Sequence, residues 1–349
     1  MGASSRVAVA VFASYFIIII VTFWILLRSI LQSYILQRLS SHRKRAALFI
    51  FLATSAFAHT WYYMFRFMEW SFKDYESKGE TRDFLMERIN NWLVHTALFE
   101  QAWYTVCSTY FRWWLSEQLC SYTVGAWTLF VFVEGRRRQI SHVWLYMLLG
   151  QLVAISVASN LFYAALSLST ARSVKKVTFV SPVLWLSILL SLCTVAYTPF
   201  TDERTFLPNL VTMHILAVLP LLCGSYLDTP TPGRFSLKFR TLHLLVFLMT
   251  ISIHIRNSRV LSLEIQKPFL DGLWDTLFSH PAQSSIGFDV IWTSVSFMVW
   301  AMFSNTAPIG RRIPLSLLTP LVSVGVVAPL LAFLDDCDEE HSLRANRRH

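Results

Sequence analysis

Residues 7–27 read VAVAVFASYFIIIIVTFWILL. The stretch carries no charge and matches the ~20 apolar residues needed to cross the hydrocarbon core of a bilayer. It is too long for the apolar core of a signal peptide and lacks a clear small-residue cleavage site, so it reads as a retained membrane span. A strongly basic loop follows, with Arg28, Arg38, Arg43, Lys44 and Arg45. By the positive-inside rule that loop faces the cytosol and the N-terminus faces the lumen or the outside. The next polar stretch, Glu69 to Arg88, mixes acidic and basic residues and suits the opposite side. Beyond it, basic residues no longer discriminate between the two sides.

The rest of the chain repeats this pattern. Of its 349 residues 54% are hydrophobic and only 15% are charged, against roughly 25% charged in soluble domains, and the mean hydropathy is +0.48. Further apolar runs cover about Ala46–Met68, Val143–Leu168, Phe179–Tyr197, Leu207–Tyr226, Leu242–Ile255, Ile286–Phe303 and Leu315–Leu334. Between Asn91 and Glu134 the sequence is aromatic and semi-polar and holds one crossing or two. The expectation is an all-α, polytopic integral membrane helical bundle of eight to ten transmembrane helices. Residues 1–349 form one integral membrane domain, with residues 335–349 a polar, solvated C-terminal tail. No internal repeat or low-complexity linker divides it.

The net charge of +9 is spread over short basic clusters between the apolar runs. These read as anchors at the bilayer surface, and no nucleic-acid partner is expected. The five cysteines show neither CxxC spacing nor a paired pattern, so no zinc site or disulfide framework is indicated. There is no Walker loop, GxGxxG, GxSxG or HExxH motif, which disfavours nucleotide hydrolysis and zinc proteolysis. The run Asp335-Asp336-Cys337-Asp338-Glu339 has the look of an aspartate-rich magnesium-diphosphate motif. It directly follows the last apolar run with no helix after it to present the carboxylates, so it reads as a solvated acidic tail and no metal or cofactor is expected.

Ionisable side chains inside a membrane are costly unless they face protein or water, and this makes each a candidate functional residue. Three groups qualify. In the first, Tyr62, Tyr63, Arg66 and Trp70 share a helical face with His59. This is a pocket wall with aromatic faces for a cation, or else an interfacial aromatic belt with a snorkelling Arg66. The second group places Glu100 beside Trp103 and Tyr104 on one face. An apolar surrounding there favours the neutral carboxylic acid, whereas an interfacial position leaves Glu100 simply wet. In the third, Ser285, Asp289, Trp292, Ser296 and Trp300 follow one another at spacings of 4, 3, 4 and 4, one face with a single carboxylate. Asp289 is a site residue or the structural partner of an Arg or His on another helix. His214, His243 and His254 lack metal-ligand spacing and read as helix-to-helix hydrogen-bonding residues.

The many-span plan, the aromatic faces, the isolated carboxylates and the stretch from His280-Pro281 to Ser285-Ile286-Gly287-Phe288-Asp289-Val290-Ile291-Trp292 together resemble fungal membrane-bound terpene cyclases. The likeness is to those of ascochlorin and ascofuranone-type meroterpenoid pathways, and it is concentrated near Asp289. It implies a metal-independent isomerase of secondary metabolism in the endoplasmic reticulum membrane. Its reaction would protonate the terminal epoxide of a farnesyl-type tail and cyclise the carbocation. Carried onto these residues, Asp289 is the general acid and Glu100 a second acid or base. Trp61, Tyr62, Trp103, Tyr104 and Trp292 stabilise the cation, while His59, Arg66, Glu69 and Ser285 tune or orient. The partners implied are a lipophilic prenylated small molecule and the bilayer. The alternative from another class is a proton-coupled transporter of a small lipophilic metabolite, against which the sequence shows no pair of Gly- or Pro-interrupted spans.

Overall fold

The computed structural model describes residues 3–79, 84–169, 179–223, 234–303 and 309–346. The opening apolar run grows into α1 (Ala3–Leu36), and α2 (Ser40–Ser77) extends the second run by several turns in both directions. Next come α3 (Leu85–His95), α4 (Leu98–Cys107) and α5 (Tyr110–Ser121). A π-helical segment, Tyr122–Trp127, joins α5 directly to α6 (Thr128–Arg137). Residues 110–137 are therefore one continuous helical run through the semi-polar region. After them lie α7 (Val143–Leu152), α8 (Ile155–Leu168), α9 (Pro182–Tyr197), α10 (Phe206–Leu222) and α11 (Phe239–Glu264). The last five are α12 (Phe269–Phe278), α13 (Pro281–Phe303), α14 (Ile309–Leu317), α15 (Thr319–Val322) and α16 (Val324–Asn346). Among the described residues the only sheet is an antiparallel pairing of Phe179–Val180 with Leu237–Lys238.

The protein is all-α. Among the described residues, five helices are long and apolar enough to cross a membrane, namely Arg6–Leu36, Ser40–Ser77, Pro182–Phe200, Phe239–Glu264 and Pro281–Phe303, and α7, α8 and α10 are shorter apolar helices. Buried within the bundle, α8 packs against α1, α2, α7 and α13. Around it lies an aromatic core in which Tyr163 stacks on Trp300 at 4.7 Å between ring centres, and Phe162 meets Trp127 edge-on. The outward faces of α1 and α9 carry exposed Ile17, Ile20, Trp24, Leu186 and Leu190. Water would penalise such faces, whereas lipid tails solvate them.

Two expected spans are broken. The run Val143–Leu168 is two helices because the backbone turns extended at Ala154, with φ −173° and ψ 140°. Hydropathy misses this break, since the residues around it are apolar apart from Gly150, Gln151 and Ser156. Gly150 lets the two helices approach closely there, since a Cβ would lie 2.6 Å from the end of the Ile155 side chain. The run Leu315–Leu334 is likewise interrupted, at Leu318 and at Ser323, which has φ 85°. Past that turn Gly325 packs against the π segment, where a Cβ would come within 3.0 Å of the Tyr122 backbone nitrogen.

The acidic run near the C-terminus is corrected too. It continues α16 rather than entering solvent as a loose tail. Asp336 meets His243 at 2.8 Å, and Arg311 meets Asp338 at 2.6 Å and Asp335 at 3.4 Å. The helical register turns these carboxylates toward α11 and α14, and partnering holds them there. The last residues of the expected Leu207–Tyr226 run and the final residues of the tail lie outside the described residues.

Candidate functional site

A break in a buried helix exposes amide donors and carbonyl acceptors that must find partners. At the α7–α8 break the partners come from distant helices. The Ile155 amide donates to Asp289 Oδ2 at 2.9 Å and the Ser156 amide to Oδ1 at 2.8 Å. On the other side of the break, Tyr15 Oη of α1 donates to the Leu152 carbonyl at 2.6 Å. Gln151 Nε2 donates to the His214 carbonyl of α10 at 3.2 Å. Two side chains, Asp289 and Tyr15, thus partner the interrupted backbone, and a carboxylate seated on the first amides of α8 also meets the positive end of its helix dipole.

The interruption faces a half-open cavity of about 600 Å³ lined by residues of α1, α2, α3, α4, α5, α7, α8, α10 and α13. Its wall is mostly apolar, with Val11, Phe12, Met64, Phe67, Val106 and Ile286. Polar groups are few: Tyr15, Glu100, Gln151, His214, Ser285 and Asp289, with the threonines at 60, 96 and 123. An apolar cavity of this size with sparse, convergent polar groups is the usual form of a small-molecule site, for which about 300–1,000 Å³ is typical.

Of the residues expected from sequence, Glu100, Asp289, Trp103 and Ser285 line this one cavity, although they come from α4 and α13. Glu100 sits in the first turn of α4, half-buried, and makes no hydrogen bond or ion pair among the described residues. Asp289 is buried and has both oxygens occupied by amides. Ser285 Oγ donates to the Thr60 carbonyl at 3.0 Å, locking α13 to α2 beside the cavity.

The other expected residues lie elsewhere. Helix α2 does present His59, Tyr62, Tyr63 and Arg66 along one side, but the cavity is lined by Thr60, Met64, Phe67 and Met68 instead. His59 stacks on Phe288 at 3.7 Å between centres and accepts a long hydrogen bond of 3.4 Å from the Trp292 indole. Arg66, Glu69 and Lys73 form an exposed ion-pair ladder at 2.8 and 2.6 Å. Trp61 is buried in stacking contact with Phe57. Tyr62 is exposed, and exposed Tyr104 meets Phe206 edge-on.

His243 and His254 bond across helices as expected, to Asp336 and Glu117. The pair of His254 Nδ1 and Glu117 Oε1, at 2.7 Å, is buried and separate from the cavity residues. His214 behaves differently, because its ring bonds within α10, to the Leu210 carbonyl, and lines the cavity. Tyr15 and Gln151 are not among the residues expected from sequence, and the signal the sequence offers for them is that each is a polar side chain inside an apolar run. Just beyond the cavity, at the α12–α13 junction, His280 is held down at about 4, by burial first and then by nearby Arg112. Among the described residues, no three His, Cys, Asp or Glu side chains gather as a metal-holding group.

A family model described as "Protein of unknown function DUF2834" matches residues 48–167. That stretch runs from within α2 to near the end of α8 and takes in Glu100 and the helix break. No curated protein and no solved structure matches the chain.

Proposed function

We propose that the protein is a membrane-embedded cyclase of the meroterpenoid type that opens the terminal epoxide of a farnesyl-type substrate and closes the resulting carbocation into a ring. The observation that carries this reading is the convergence of Glu100, Asp289 and Trp103 on one apolar cavity of about 600 Å³. Epoxide opening requires a carboxylic acid within hydrogen-bond reach of the epoxide oxygen. The developing cation then requires aromatic faces and shelter from water. In this proposal Glu100 is the proton donor, because its oxygens carry no protein partner among the described residues. Asp289, with each oxygen on a backbone amide, holds the cavity wall in place. The proton goes to the epoxide oxygen as the C–O bond breaks, an alkene closes on the cation, and a proton lost from carbon returns to the site. The product is an isomer of the substrate.

A prenylated substrate partitions into the bilayer, which accounts for a membrane-embedded enzyme. The proposal retains eight to ten crossings, with the continuous run 110–137, α7–α8 taken together and α10 joining the five long helices, and an endoplasmic reticulum location. The test is expression in a fungal host free of related pathways, followed by incubation of microsomes with an epoxidised farnesyl-phenol. The proposal expects a cyclic product of unchanged mass by mass spectrometry and NMR. Unchanged substrate in the presence of folded protein counts against it.

One observation favours a second reading, a transporter of a small lipophilic metabolite. The α7–α8 interruption lies at the cavity, and interrupted helices are a recurrent way for transporters to form a binding site inside the membrane. Accumulation of the compound in proteoliposomes under an imposed proton gradient, without chemical change, would favour that reading over the cyclase.

A further inference from the structure

The Leu210 carbonyl can only accept a hydrogen bond, so the 2.8 Å contact to His214 Nδ1 places the proton on Nδ1. In the neutral imidazole Nε2 is thereby left as an acceptor with a free lone pair. It has no hydrogen-bond partner among the described residues and is not one of the side-chain atoms sealed inside protein. The ring lies on the cavity wall. It is clamped edge-on by Trp103 at 5.5 Å and Phe99 at 6.0 Å, the residues that flank Glu100 on α4. Its backbone carbonyl is tied to Gln151 at the helix break. The imidazole is thus fixed in tautomer, orientation and position, and the cavity gains a neutral acceptor beside its unpartnered carboxyl.

We infer that His214 is a specificity-determining residue whose Nε2 accepts a hydrogen bond from a donor group, such as a hydroxyl, on an otherwise apolar ligand. The inference rests on reading the cavity as a small-molecule site. A site that presents a fixed acceptor in an otherwise apolar wall discriminates against ligands unable to donate to it, because the acceptor is then left without a partner from the ligand. A matched pair of probes isolates the effect: farnesol, and its methyl ether, which has the same chain and no donor.

The experiment is equilibrium dialysis of both probes against the purified full-length protein in detergent micelles. The wild type is expected to bind farnesol about tenfold more tightly than the ether, the scale of one well-placed hydrogen bond. In His214→Phe and His214→Met the ratio is expected to fall toward one while affinity for the ether persists, and in His214→Gln, which keeps an acceptor, to recover in part. Equal affinities in the wild type, binding of neither probe, or a ratio unchanged in the Phe and Met variants would overturn the assignment. Loss of ether binding in both variants would overturn it as well, because His214 would then be supporting the cavity rather than reading its ligand. Selective binding without ring closure leaves this assignment standing and removes the cyclase, whereas ring closure without selectivity does the reverse.

Discussion

Two carboxyl groups share one cavity, and their surroundings give them opposite work. Asp289 is fully committed, with each oxygen on an amide at the start of α8. Glu100, on the first turn of α4, has no protein partner among the described residues. Both are ionisable groups in a largely apolar setting, and a cost argument alone ranks Asp289 higher because it lies within an apolar run. The difference lies in hydrogen-bonding capacity already spent. A buried carboxylate that repairs broken backbone is part of the fold, while one with free lone pairs is available to a ligand.

The largest expected effect that sharpens this contrast is on stability. In Asp289→Ala the Ile155 and Ser156 amides lose their acceptors, and at about 1–3 kcal/mol per unpaired buried donor the loss is about 2–6 kcal/mol. Thermal unfolding in micelles should show a large drop in midpoint, and a wild-type midpoint would remove the structural role. Tyr15→Phe leaves the Leu152 carbonyl unpaired and should cost about 1 kcal/mol, readable from denaturant titration.

A pH-dependent effect is expected outside the cavity. The His280 pKa is lowered from the ordinary 6.5 to about 4, so between those values the unfolded chain takes up a proton that the folded chain does not. Stability should therefore fall as pH drops through that window, and His280→Gln should flatten the fall. The smallest stability effect belongs to Glu100→Gln, within about 0.5 kcal/mol of wild type, because no protein contact is lost. A large destabilisation there would erase the distinction between the two carboxyl groups.

The helical, membrane-embedded character is legible in residues 7–27 and in the apolar runs that follow, because lipid-facing helices are apolar over long stretches. The helix breaks are not. Near Ala154 the residues are as apolar as those of an unbroken span, and the interruption is stabilised by Asp289 and Tyr15, more than 130 residues away in sequence. Glu100, Asp289, Trp103 and Ser285 could be picked out by residue type and helical spacing. Which side of α2 faces the cavity could not, since the aromatic His59–Tyr62–Arg66 side has the more distinctive chemistry and the Thr60–Met64–Phe67 side lines the space. His214 reads in the sequence as a helix-to-helix hydrogen-bonding residue, because nothing in its neighbours along the chain announces that Phe99 and Trp103 will clamp it.

The most direct test of the central claim is the ring-closure rate of Glu100→Gln in microsomes supplied with an epoxidised farnesyl-phenol, measured beside wild type at equal amounts of folded protein. Loss of the proton donor is expected to slow isomer formation by at least about 100-fold with the thermal midpoint unchanged. Turnover at the wild-type rate would contradict the assignment of Glu100 as the acid.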